Sequence, residues 1–175
     1  TLKTGQYTMR MMEYYGSRTG TYVLSMMFLT PGYTMPADNQ GPGWITNGET
    51  KVGTVSKWTQ MHPLMLNAKS GEVVCMRMHA LNSPFLPQMT LYDTNGNSVA
   101  NFTAGDGSGT GILEYRMPRN GPFMIRCMEY YGSRTGSYTV SLMFLTPGYT
   151  MPTNNLGPGW ITNGETKVGT VSKWT

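Results

Sequence analysis

The stretch GPFMIRCMEYYGSRTGSYTVSLMF, residues 121–144, decides the fold. In its first part Phe123, Ile125 and Cys127 fall on one face of an alternating strand. In its last part Tyr138, Val140, Leu142 and Phe144 do the same. Between them lies EYYGSRTG, whose glycines, serine and threonine mark a loop rather than a helix. Two strands joined by a short loop, each with a single apolar face, call for a second layer to bury those faces.

Upstream, the same signals recur. KVGTVSKW (51–58) alternates and is rich in β-formers. HPLMLNAKSGEVVCMRMHA (62–80) reads as two strands around a turn at Lys69–Gly71, with Val74, Met76 and Met78 on one face and Cys75 and Arg77 on the other. PQMTLYDTNGNSVANFT (87–103) reads as a hairpin with Asn95-Gly96 as a two-residue turn. GDGSGTG (105–111) reads as a loop, and TGILEYRMP (110–118) as a strand ended by Pro118. About eight short strands with closely spaced turns predict an all-β, antiparallel β-sandwich. No segment offers a helical period.

The composition agrees. The chain has 175 residues with 22 Gly, 11 Pro and 11 Tyr, and only 13% of it is charged, about half the usual share. The net charge of +4 comes from scattered Lys and Arg, with no basic stripe for nucleic acid. No run approaches the ~20 apolar residues that a membrane-spanning helix needs. The 16 methionines read as filler for a core or an adaptable interface rather than as copper ligands.

The closing stretch has a double. Residues 11–59 align on 127–175 with 41 of 49 positions identical, a period of 116 residues. The repeat implies tandem sandwiches. Residues 1–29 read as the closing strands of a partial sandwich, 30–43 as a Pro/Gly-rich connector, and 44–145 as one complete domain. Residues 146–159 read as a second connector and 160–175 as the opening strands of a next domain. Pro31, Pro36 and Pro42 make the connector stiff. Met11 stands where the second copy has Cys127, so that position reads as buried and apolar rather than as half of a Cys75–Cys127 disulfide.

The order of motifs resembles the bacterial pre-peptidase C-terminal (PPC) domain. GETKVGTVS (48–56) resembles that family's opening strand, and LNAKSGEVVCMRM (66–78) its strand–turn–strand. LYDTNGN (91–97) is similar to its Leu-Tyr-Asp hairpin, and NGPFMIRC with GSRTGSYTVSL to its closing pair. The resemblance spans residues 48–145 and implies a jelly-roll-like sandwich from a secreted protein. It also implies calcium in some members. Here the stretch after the opening strand, SKWTQMHPLML (56–66), carries no acid, and a calcium site falls back on Asp93, Asn95 or Asp106. No other cofactor is implied.

Catalytic machinery is not evident. His62 and His79 are the only histidines, and neither sits in a metal-binding or nucleophile–base spacing. The chain reads as a non-enzyme. The candidate interface residues are aromatic: Trp44 and Trp160, Trp58 and Trp174, and the two loop copies Tyr14, Tyr15 with Arg18 and Tyr130, Tyr131 with Arg134. Trp, Tyr and Arg are the residues enriched where proteins meet, and they also stack on sugar rings. Ordinary packing between domains is the competing reading. Two functions follow. One is a structural subunit of an extracellular filament, fibre or stalk, with copies of itself as partners, assembled by strand complementation and aromatic joints. The other is a secreted accessory module that holds polysaccharide or fibrous protein beside an enzyme. Asn101-Phe102-Thr103 is a glycosylation sequon consistent with either.

Overall fold

A computed structural model describes residues 5–29, 41–82, 84–104, 109–146, 148 and 166. Among these residues nine strands form two sheets. They are β1 (Gly43–Trp44), β2 (Thr50–Val55), β3 (Met61–Ala68), β4 (Val73–Ala80), β5 (Pro87–Tyr92), β6 (Ser98–Thr103), β7 (Thr110–Arg116), β8 (Gly121–Glu129) and β9 (Gly136–Phe144). One sheet has the order β1-β3-β8-β5-β6 and the other β2-β9-β4-β7. All pairings are antiparallel except the short parallel one between β1 and β3.

The pairings nest. β2 runs against β9, β3 against β8, β4 against β7 and β5 against β6. This is one long hairpin rolled into two layers, the jelly-roll arrangement expected from the sequence. β3 and β4 belong to different sheets, so the turn at 69–72 is a corner that carries the chain from one layer to the other. Glu72, itself buried, caps that corner with its carboxylate on the Lys69 amide at 2.6 Å.

The core lies between the sheets. Leu64 and Leu66 from β3 and Phe123, Ile125 and Cys127 from β8 face Val74, Met76 and Met78 from β4 and Tyr138, Val140 and Leu142 from β9. Each of these is 2% exposed or less. The inward faces read from the alternation are therefore the buried ones. Four methionines, Met76, Met78, Met89 and Met117, are core residues. Cys75 and Cys127 are free thiols, Cys127 inside the sandwich and Cys75 on the outer side of β4.

Three expectations need comment. Asn95-Gly96 does not form a two-residue turn. Asp93 accepts hydrogen bonds from the Asn95 and Asn97 amides, Gly96 N–H closes on Asp93 O, and Gly96 takes a left-handed φ of 79°. The Asp93 side chain thus recruits a longer turn, and the register shifts between Leu91 and Tyr92. Residues 5–29, expected as closing strands, contain no strand. A strand needs partners across the sheet, and the β8 and β9 positions are filled by 121–144. The opening strands expected at 160–175 apart from residue 166, both connectors apart from residues 41–43, 146 and 148, and the loop residues 105–108 lie outside the described residues.

Candidate functional site

The aromatic–arginine loop closes one end of the sandwich. Glu129 ends β8 and is 1% exposed. Its Oε2 accepts the Ser133 amide at 3.2 Å, and the Arg134 guanidinium lies 4.0 Å from its Oε1. Gly132 N–H donates to Glu129 O at 3.1 Å with Gly132 at a left-handed φ of 68°, which a residue with a Cβ adopts poorly. The loop is held on both sides. Tyr130 N–H donates to Leu86 O, and Arg134 Nη1 to Pro84 O, both at 2.9 Å. On the other side Thr59 N–H donates to Gly132 O at 2.7 Å.

That last bond fixes which turn lies against the loop. It places the 56–60 turn, and with it Trp58, beside the Tyr130–Tyr131 loop. The turn is cinched by Gln60, whose Oε1 accepts the Ser56 and Lys57 amides. Thr59 holds a left-handed φ of 60°, the sole non-glycine to do so among the described residues. A β-branched residue in that region is strained, and such strain gathers at functional positions. Tyr130 and Tyr131 pack edge to face at 4.8 Å, and the Arg134 guanidinium sits 5.2 Å over the Tyr131 ring. Trp58 and Tyr131 stay 59% and 63% exposed. The result is an aromatic ledge on a buried carboxylate.

The other candidates are placed elsewhere. Trp44, in the edge strand β1, pairs with Met65 midway along β3, away from the ledge. Tyr14, Tyr15 and Arg18 repeat the ledge's local geometry on residues 5–29 without a sheet beneath them. Trp160 and Trp174 lie outside the described residues. Glu129 and Thr59 were not singled out in the sequence. The recurrence of glutamate just before both Tyr-Tyr pairs was the available signal for Glu129.

Asp93, His62 and His79 have structural partners. Burial raises the Asp93 carboxyl's pKa, but hydrogen bonds from Asn97 and Asn95 and the nearby Arg119 outweigh it and hold the group below its usual value. Its oxygens are committed to the turn and to Arg119, which leaves the suggested calcium ligand set without a free anchor at Asp93. Among the described residues no three His, Cys, Asp or Glu cluster as a metal site. His62 is buried against Tyr138, and His79 donates to or accepts from Thr110 at the edge of β4.

No protein-family model matches the chain, and no curated protein matches it. Solved structures are similar in fold. The pre-peptidase C-terminal domain of collagenase from Bacillus anthracis is 13% identical, covers 63% of this chain and 99% of its own, with a TM-score of 0.47. A surface-associated copper-binding protein, CorA, from Methylomicrobium album BG8 is 11% identical, covering 60% and 98%, with a TM-score of 0.46. PliG from Aeromonas hydrophila, a periplasmic inhibitor of g-type lysozyme, is 12% identical, covering 55% and 84%, with a TM-score of 0.44. One of these solved structures is of the domain type whose motifs the sequence resembles. The jelly-roll assignment itself stands on the nested strand pairing. No helix among the described residues is long and apolar enough to cross a membrane.

Proposed function

We propose that the chain is a non-catalytic binding module of a secreted or periplasmic protein, working through the ledge of Trp58, Tyr130, Tyr131 and Arg134. The observation that carries this reading is the Thr59–Gly132 hydrogen bond, which gathers exposed aromatics from two distant segments onto one rigid end. Aromatic rings held by a buried network lose little freedom on binding, which favours flat, repetitive partners such as sugar chains or fibrous protein. Co-sedimentation with insoluble cellulose, chitin and collagen tests it. Trp58→Ala and Tyr131→Ala should each weaken retention at least tenfold with the melting temperature unchanged. Retention indifferent to both substitutions sinks the reading.

A second reading, a filament subunit joined to copies of itself by strand complementation, is favoured by residues 5–29, whose closing-strand sequence is exposed. It requires an acceptor sandwich that lacks its own closing pair. Electron microscopy of the native material tests it: a regular axial repeat supports the fibre, and dispersed particles at high concentration reject it.

A further inference from the structure

Residues 5–28 stand 116 positions before 121–144 and keep the apolar character of the inward-facing positions and the glutamate and glycine of the connecting turn. Tyr7, Met9 and Met11 stand at the positions of Phe123, Ile125 and Cys127. Tyr22, Leu24, Met26 and Phe28 stand at those of Tyr138, Val140, Leu142 and Phe144. In β8 and β9 these residues are 8% exposed or less, whereas their doubles are 44–70% exposed. Residues of core type are therefore half or more exposed along most of this run. The glycine that the slot demands is also kept: a Cβ at Gly136 would meet Phe85 at 2.9 Å, and its double is Gly20. Tyr22 retains the hydroxyl with which Tyr138 meets His62.

The connecting turn is already formed. Gly16 has the φ of Gly132, 68°. Gly16 N–H donates to Glu13 O at 3.2 Å, and Ser17 N–H to Glu13 Oε2 at 3.2 Å, as their doubles do on Glu129. Tyr14 and Tyr15 meet edge to face at 4.9 Å.

From this we infer that Gly5–Phe28 is a second closing pair for the same sandwich, able to displace β8 and β9 within its own chain. Reach is not an obstacle. Phe144 N–H donates to Asn47 Oδ1 at 2.8 Å, so the end of β9 lies beside the entry to β2. Phe28 in that place has 14 residues in which to return to Gly43, about 50 Å when extended. The occupant is the chain's own sandwich rather than a second copy's. The pair is tied to this sandwich by the 14 residues 29–42, so it meets its own sandwich at a high effective concentration that separate molecules would have to match while also losing their independent freedom. Met11 for Cys127 and Leu24 for Val140 are larger residues in a packed core, so the early pair fits less well and the arrangement with 121–144 in place is the more populated.

Two measurements on the full chain test this. Ile125→Asp places a charge in the slot and should leave a cooperative thermal transition and near-ultraviolet circular dichroism, because the early pair takes over. Met9→Asp with Ile125→Asp should abolish both. An Ile125→Asp chain as unfolded as the double variant overturns the inference. Thr54 Oγ1 and Ser137 Oγ lie 2.9 Å apart, and Thr21 is the double of Ser137. In a Cys75→Ser, Cys127→Met, Ile125→Asp background, Thr54→Cys with Thr21→Cys should form an intrachain disulfide. Failure to form it while Thr54→Cys with Ser137→Cys closes in the chain with Ile125 intact overturns the inference, and a crosslinked dimer overturns its placement within one chain.

Discussion

His62 Nδ1 and Tyr138 Oη lie 2.8 Å apart inside the core, and the bond joins β3 of one sheet to β9 of the other. Phe85 stacks on Tyr138 at 5.9 Å with the rings 14° apart. Both polar groups are desolvated and neither has water to fall back on. Tyr138→Phe keeps the ring but strands the imidazole, which should cost about 1–3 kcal/mol in urea unfolding. His62→Phe, which removes both needs at once with Tyr138→Phe, should recover part of that loss in the double variant.

The same pair sets an acid limit. Burial lowers the His62 pKa below its ordinary value. The unfolded chain then binds the proton first as pH falls, so stability is full above about pH 6.5 and declines below it. Urea midpoints at pH 7.5 and pH 5 should differ in the wild type. His62→Asn should flatten that slope, and an unchanged slope would assign it to other groups.

Two glycines are fixed by what stands over them. A Cβ at Gly111 in β7 would sit 1.4 Å from the Phe102 ring of β6, and one at Gly53 in β2 would sit 2.4 Å from the Tyr138 ring. Gly111→Ala and Gly53→Ala should each destabilise by about 1–3 kcal/mol or more through overpacking. Gly71→Ala meets no such contact, though its φ of 84° adds backbone strain, and should show the smaller loss of the three.

The thiols should differ in reactivity. Burial pushes the Cys127 pKa up to about 12, and burial together with Glu114 raises that of Cys75. Since the thiolate is the nucleophile, a disulfide-exchange reagent at pH 8 should titrate Cys75 slowly and Cys127 not at all until denaturant is added. Rapid loss of both thiols in the native protein would contradict the buried placement of Cys127.

The sheet architecture was legible where one residue's neighbours decide its face. The alternations at 74–78, 123–127 and 138–144 each marked the core side, because a strand buried on one face must alternate. What the sequence concealed is non-local. EYYGSR folds to the same turn at 13–18 and 129–134, since a glycine and a back-bonding glutamate suffice. The flanking residues become strands only at 121–144, because a strand is defined by partners that pattern does not name. The ledge was half legible for the same reason. The tyrosines and arginine announce themselves, but the placing of the Trp58 turn against their loop depends on a bond between Thr59 and Gly132, 73 positions apart.

The nested pairing has a consequence for how the protein is made. β8 and β9 are interior strands, one in each sheet, and the last of the described strands to leave the ribosome. Residues 5–28 emerge 116 positions earlier, which at ordinary translation speeds is a lead of roughly 6–23 s. β2–β7 are complete once residue 116 is out, and for the 28 residues until residue 144 follows, roughly 1–6 s, the finishing hairpin of this chain within their reach is the early one. A nascent chain stalled with residue 118 clear of the tunnel should therefore already resist protease when its Met9 is intact and be digested when Met9 is aspartate. Synthesis order, rather than final fit, then chooses which copy is installed first.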